Sequence, residues 1–545
     1  MKLNQWIGVI ALSSAPIVVH ATAYDVQELP VTELSGSQFG SSIDNSGLIL
    51  TTLINPFSPP IDMTLFDVAN FPLLTDPDAA AQGEFNNNDY AQIVNTYRQN
   101  AVSFSTFGQK LANQVIYQTD GTDAQYVFGF DEEQTNTDGF TFGMNTRVAG
   151  SANGAYIVGN GSSLFTARDV MSSDGTEFTI VIADVLNRGF VQFDGQVNPL
   201  LPLDMTLEGF SSASAINENL QVAGVSSVGV RDLITSGIEN CASDDLTIPV
   251  EACIYELKTR SQEQFVRRAT VWQLDAQGQV VSTTAYDLDF TLDEDELRNF
   301  TNEAVAINNS GVAVGTGTVL FNNQGVTAAM VFENGTTRRL LDDDSLLPNF
   351  ATSINDQGIV VGYQIQAING QGRAKFFTYD LNTETLTFPD DFFASSSTFP
   401  RDINSDGIVV GDAEIDASQS QRRRGGFVYN PQTDEFIDLN TLIPCDTPYS
   451  IVAANSINDS GVIVADAAVL RSAKNVRGQP FLDADGNEIL ETAVVALKLT
   501  PNGADAPDCS VDGEEDPNEV RQGASNSMIF ILFLTGLALF RRIKR

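Results

Sequence analysis

Apolar and polar positions in this chain alternate in a phrase that returns six times: an isoleucine, then Asn or Asp, a short polar turn, and a run of branched apolar residues. It reads Ile43-Asp44-Asn45-Ser46-Gly47, Ile216-Asn217-Glu218-Asn219, Ile307-Asn308-Asn309-Ser310-Gly311, Ile354-Asn355-Asp356-Gln357-Gly358, Ile403-Asn404-Ser405-Asp406-Gly407 and Ile457-Asn458-Asp459-Ser460-Gly461. An Asn or Asp side chain bonds the nearby backbone, and the following Gly takes the positive φ of a tight turn. A strand is therefore predicted after each turn. Val312-Ala313-Val314, Ile359-Val360-Val361, Ile408-Val409-Val410 and Val462-Ile463-Val464 are such strands, apolar on both faces as a strand between layers must be. They end at Gly315, Gly362, Gly411 and Ala465, where only a small residue fits. Before each Ile stands another run of small residues, such as Val305-Ala306 and Thr352-Ser353, suited to a crowded centre.

Between the motifs lies a second hairpin, an aromatic or aliphatic run followed by a polar turn. Thr270-Val271-Trp272-Gln273-Leu274 before Asp275-Ala276-Gln277-Gly278 is one case, and Gly426-Phe427-Val428-Tyr429 before Asn430-Pro431-Gln432-Thr433 is another. The last three motif intervals are 47, 49 and 54 residues. Two hairpins in about 50 residues is the content of one blade of a β-propeller. A degenerate motif at Ser151-Ala152-Asn153-Gly154 raises the number to seven. The expected fold is all-β, a β-propeller of about seven four-stranded blades over residues 24–500, with an open β-solenoid or paired sandwiches as the alternative. Residues of about 53–118 lack the repeat and are expected to form an insertion between blades; residues of about 228–265 form a smaller one. The runs at residues 24–29 and 494–499 each lack a hairpin partner, and pairing them would close the ring.

The ends carry a different pattern. Lys2, an apolar stretch and the small-x-small step Ala21-Thr22-Ala23 make residues 1–23 an expected signal peptide, with cleavage after Ala23. Residues 501–527 are acidic and rich in Pro, Gly and Asn, and are expected to form a stalk. Residues 528–540 are mostly apolar and precede Arg541-Arg542-Ile543-Lys544-Arg545. That run is shorter than the roughly 20 residues of a usual membrane span, and its basic flank would hold the terminus in the cytoplasm. The step Gly523-Ala524 followed by this short helix and basic cluster resembles the glycine-glycine sorting signal recognised by rhombosortase, a rhomboid-type intramembrane protease. The resemblance covers the last 23 residues, and Ala524 replaces the second glycine. It implies export machinery and a sorting protease as partners, processing near Gly523-Ala524, and a single membrane anchor, transient or permanent, in residues 528–545. The repeated Ile-Asn-x-x-Gly-x-Val-Val-Gly resembles the extracellular repeat proteins called HAF and a secreted family known as a domain of unknown function. Neither implies a catalytic residue.

Asp and Glu number 70 against 29 Lys and Arg, a net charge of −41; loss of Lys2 and the four basic tail residues takes it to −46. Such a surface repels nucleic acid, anionic lipid and acidic polysaccharide, and favours cationic partners, divalent ions or a salty medium. Cys241, Cys253, Cys445 and Cys509 form an even set in a chain expected to be exported, which favours disulfides. Three pairings are open, and Cys241–Cys253 with Cys445–Cys509 keeps each bond within one region. The sole histidine, His20, lies in the signal peptide, which removes Ser-His-Asp and Cys-His chemistry and histidine-bound metals from the exported protein. Only Trp272 remains there for sugar stacking. Asp483-Ala484-Asp485-Gly486-Asn487 places oxygen ligands around a Gly turn, and Asp483, Asp485 and Asn487 are the calcium candidates, against an ordinary polar turn. Asp293-Glu294-Asp295-Glu296 reads as a solvated helix start, and Arg422-Arg423-Arg424 as an exposed hairpin tip. The expected function is an exported cell-envelope binding or scaffold protein with an unknown ligand, and the alternative is a carboxylate-dependent extracellular hydrolase or lyase.

Overall fold

A computed structural model describes residues 22–100, 108–134, 139–140, 143–243, 248–292, 298–341, 347–417 and 422–509. Seven four-stranded antiparallel sheets make a β-propeller, and the innermost strands form a ring in which each touches the next. Those inner strands are Ser37–Ile43, Thr146–Ala152, Ser211–Ile216, Asn302–Ile307, Asn349–Ile354, Thr398–Ile403 and Ser450–Ile457, defining blades 1 to 7. The seventh blade is composite. Its third strand, Leu490–Asp505, pairs on its outer side with Thr22–Glu28, so Val26 lies opposite Leu499 and Glu28 opposite Leu497. The two unpartnered runs of the sequence thus close the ring on each other and cover what would be an exposed edge.

The small residues of the inner repeat have a common cause. Every inner strand carries a bulge two residues before its motif Ile or the equivalent residue, as between Ala351 and Ser353 or between Pro400 and Asp402. A bulge bends the strand and re-aims one side chain, here next to the axis. Opposite it the second strand comes so close that a Cβ at Gly362 would lie 2.0 Å from the Phe350 carbonyl and 2.6 Å from the Phe377 ring; Gly411 faces Phe399 and Phe427 in the same way. Glycine there lets a fully buried phenylalanine fill the blade, a burial worth about 2 kcal/mol or more.

The insertions differ from the expected ones. The first runs from residue 55 to 113 and interrupts blade 1, whose strands Ile49–Ile54 and Gln114–Thr119 pair across it; it does not separate two blades. Its Asn- and Pro-rich composition hides the fact that the strands on either side belong together. Blade 3 is interrupted by the helices Asp232–Cys241 and Val250–Arg260, close to the expected 228–265. Two more interruptions escaped the sequence reading, the hairpin Phe165–Met171 with Glu177–Ala183 in blade 2 and residues 473–489 in blade 7. All four join a second strand to a third. They therefore emerge from one face of the ring, opposite the Ile-Asn turns, and the two faces are called here the insert face and the turn face.

The four insertions touch in series. Arg477 of blade 7 lies over the Tyr90 ring of the blade 1 insertion at 3.9 Å and donates to the Phe85 carbonyl. Lys110 approaches Phe165 of blade 2, whose Ile180 and Ile182 pack on Ala252 and Tyr255 of the blade 3 helices. The result is a crescent over blades 7, 1, 2 and 3. Blades 4 and 5 carry only tight turns there, at Asn322-Asn323 and Asn369-Gly370. Among the described residues no insertion covers the insert face of blades 4 to 6, called here the open sector.

Candidate functional site

At the turn face the seven motifs converge on a pocket of about 180 Å³. Asn217 Nδ2 donates to the Asn308 carbonyl, Asn308 to Asn355, Asn355 to Asn404, Asn404 to Asn458, and Asn458 to Asp44, at 2.7–3.3 Å. Each motif Asn also accepts from its own turn, as Asn404 Oδ1 does from the Asp406 and Ile408 N–H groups. Blade 2 has Ala152 in place of Asn, and there the direction reverses: the Gly154 N–H donates to Asp44 Oδ2 at 2.8 Å, and Asn153 Nδ2 passes the chain on to the Glu218 carbonyl. A carboxylate is required at position 44 because its neighbour offers a donor. The outer rim interlocks likewise, with Asp356 accepting from the Asn309 N–H, Asp459 from Ser405, and Glu218 from Asn45 Nδ2. These polar groups hold one another. The turn face is a fastening.

The open sector of the insert face is built differently. Asp412 and Glu414 alternate along the second strand of blade 6, Val409–Glu414, and so share one face. Each carboxylate is clamped between two guanidinium groups. Asp412 takes Arg401 Nε at 2.8 Å and Arg424 Nε at 2.8 Å; Glu414 takes Arg373 of blade 5 at 3.3 Å and Arg422 at 2.6 Å. Each triad keeps one net positive charge. Lys375 pairs with Asp391 alongside. An aromatic wall continues the cluster: Phe350 stacks on Tyr363 at 4.7 Å, Phe399 meets Tyr363 edge-on at 4.9 Å, and Arg424 lies over Phe399 at 4.9 Å.

Arg401 occupies the bulge of its inner strand. Protein surrounds it on most sides, yet its side chain stays 46 % accessible, as a group lining an open channel does. Its Nη1 holds Asn455, and its other terminal amine meets no protein partner among the described residues. Behind it lies Asp466, which accepts from the Gly40 N–H across the seam between blades 7 and 1. Burial pushes Asp466 up to about 6, against hydrogen bonds from Asn455 and Gly40 and the charge of Arg401. Burial also raises Asp402, which accepts from Ser353, Ser456 and the Ile457 N–H.

The residues singled out in the sequence fall elsewhere, with one exception. Asp483, Asp485 and Asn487 form a hairpin tip of the blade 7 insertion, where Asp483 Oδ1 accepts from the backbone N–H groups of Asp485 and Asn487 and Oδ2 from Asn487 Nδ2. Among the described residues no cluster of three or more His, Cys, Asp or Glu is placed to hold a metal ion. Cys241 is bonded to Cys253 in the blade 3 helices and Cys445 to Cys509 beside the composite blade. Trp272 is fully buried core. Ala23 is the second residue of the strand Thr22–Glu28 and is buried, while Gly523, Ala524, the tail and residues 293–296 lie outside the described residues. Arg422-Arg423-Arg424 is the exception and a correction. Only Arg423 is exposed; Arg422 and Arg424 are three-quarters buried in the triads because the chain enters a strand at Arg424 and alternate side chains turn inward. Sequence reading missed Arg373, Arg401 and Asp412, which no local motif marks.

Comparison with known proteins gives a family. The family described as "Protein of unknown function (DUF3466)" matches residues 4–543, nearly the whole chain, and the protein belongs to it. No curated protein matches the sequence. Solved structures with a similar fold include TolB from Acinetobacter baumannii, at 9 % identity and TM-score 0.30 over 88 % of this chain and 96 % of that one. An oligogalacturonate lyase from Vibrio parahaemolyticus is similar at 11 % identity and TM-score 0.28, covering 66 % and 85 %. A puromycin-hydrolyzing peptidase of Mycobacterium tuberculosis is similar at 10 % identity and TM-score 0.37 over 87 % of this chain, which spans only 56 % of the peptidase. At such identities and TM-scores these likenesses carry no further conclusion.

Proposed function

We propose that this member of the DUF3466 family is an exported cell-envelope protein that binds or scaffolds a partner through the open sector of its insert face. The observation that carries the reading is the asymmetry of that face: four insertions roof blades 7, 1, 2 and 3, while among the described residues none reaches blades 5 and 6, where the Arg401 side chain of the Asp412 triad stays 46 % accessible. The two disulfides are compatible with an oxidising compartment. Among the described residues no helix is long and apolar enough to cross a membrane. The HAF-like repeat and the Gly523-Ala524 sorting step belong to the same proposal, with residues 528–545 as the anchor that is kept or removed. The test is capture of partners from envelope material by the exported domain, with and without a bulky substitution in the open sector, such as Ser395→Trp at the residue whose carbonyl and hydroxyl accept from Arg422. Equal recovery by both proteins would contradict the reading.

A second reading, a carboxylate-dependent hydrolase or lyase, draws on Asp466 alone, a carboxyl pushed up to about 6 beside Asp412 and Arg401. It requires turnover of a substrate that Asp466→Asn abolishes while binding persists. Binding without turnover would exclude it.

A further inference from the structure

The chain's overall acidity argues against anionic ligands, but the open sector gathers four arginines around two carboxylates. Arg373, Arg401, Arg422 and Arg424 surround Asp412 and Glu414, with Arg423 exposed next to them. Asp466 and Asp402 lie behind the cluster in the channel wall, already engaged by N–H and hydroxyl donors. Asp391 is neutralised by Lys375. Repulsion from the rest of the surface is screened beyond about 8 Å at physiological ionic strength, whereas a half-enclosed guanidinium is screened much less. Contact charge therefore outweighs net charge at this spot.

The groups present also select among anions. Arginine offers a planar fork suited to carboxylate or sulfate oxygens. Arg401 shares Asp412 with Arg424, which lies over Phe399 of the aromatic wall, and its second terminal amine meets no partner among the described residues, so a ligand meeting that amine and the wall needs an anionic group on an apolar, C–H-rich ring. We infer that the insert-face mouth of the channel at blades 5 and 6 binds an anionic saccharide, a uronate or sulfated sugar, with its acid group on Arg401 and a sugar face against Phe399. The inference rests on the proposed binding role and assigns the ligand class for it.

Isothermal titration of the full chain with a uronic-acid trisaccharide, its neutral counterpart and a hexaglutamate peptide tests it. The acidic sugar is expected to bind, the neutral sugar and the peptide at least ten-fold more weakly. Arg401→Gln should weaken the acidic sugar at least ten-fold, with Arg260→Gln, a distant exposed arginine, as the unchanged control. Phe399→Leu, with its melting temperature checked, should weaken it too, and covers the case in which Arg401→Gln fails to fold. Equal binding of hexaglutamate would show charge alone at work and overturn the saccharide assignment, as would equal binding of the neutral sugar or full affinity in a folded Arg401→Gln protein. Capture of envelope partners that survives Arg401→Gln would leave the binding role standing and place its site elsewhere.

Discussion

A single atom type at position 44 shows how closely residue identity follows the ring's hydrogen bonds. Asp44 accepts from the Gly154 N–H, whereas the five motif asparagines donate amide N–H groups to carbonyls. Asp44→Asn would turn an amide donor toward a donor, and Asn404→Asp would turn a carboxylate toward the Asn458 carbonyl. Each buried mismatch should destabilise by about 1–3 kcal/mol; chemical denaturation reads it, and unchanged midpoints would contradict the alternating scheme. Asp466 makes a second residue-level case, with a definite sign. A carboxyl raised to about 6 in the fold and at its ordinary 3.8 when unfolded keeps its proton longer in the native state. Its contribution is present in full below pH 4 and is lost as pH rises toward 6, a change on the order of 3 kcal/mol at most. Asp466→Asn should therefore compare worst with the parent near pH 4 and best above pH 6, and a stability difference that is flat across that window would refute the assignment.

At the scale of elements, the inner hairpins were legible in the sequence because one signal, Asx turn plus β-branched run, sets both the turn and the buried strand. Four of the motifs also announced their own crowding through Gly315, Gly362, Gly411 and Ala465. The insertions were less legible, since a Pro- and Asn-rich stretch such as residues 55–113 says nothing about which strands it separates, and the Phe165–Met171 hairpin mimics an ordinary repeat hairpin. Of the site, Arg422-Arg423-Arg424 was visible and misread, and Arg373 and Arg401 were invisible, because the cluster is assembled from two blades. The disulfides also differ in what they hold. Cys445–Cys509 spans 64 residues and fastens the blade that closes the ring, while Cys241–Cys253 spans 12 within an insertion. On loop entropy the first stabilises by about 4 kcal/mol and the second by about 3. Cys445→Ser with Cys509→Ser should lower the melting temperature more than the Cys241/Cys253 pair of substitutions, and the reverse order would count against a ring closed at blade 7.

For the whole molecule, the chain's two ends meet in one blade, with Thr22 opposite Asp505. The last described stretch, residues 505–509, therefore begins at the same edge at which the expected signal peptide ends. If the tail is processed near Gly523-Ala524, intact-mass measurement of surface protein should give a chain from near Tyr24 to near Gly523; a mass that retains Arg545 would indicate a permanent anchor. Net charge belongs to this scale as well: −41 over 545 residues describes the average surface and conceals a patch where four arginines surround two carboxylates. The central claim is that the open sector of the insert face is the working surface and the Ile-Asn turn face a fastening. Hydrogen–deuterium exchange of the exported protein with and without captured envelope material tests it most directly. Slowed exchange confined to the strand Thr398–Ile403 and to residues 363–375 and 422–426 is the expected result, and protection at the Asn308, Asn355 and Asn404 turns with no change in the open sector would contradict it.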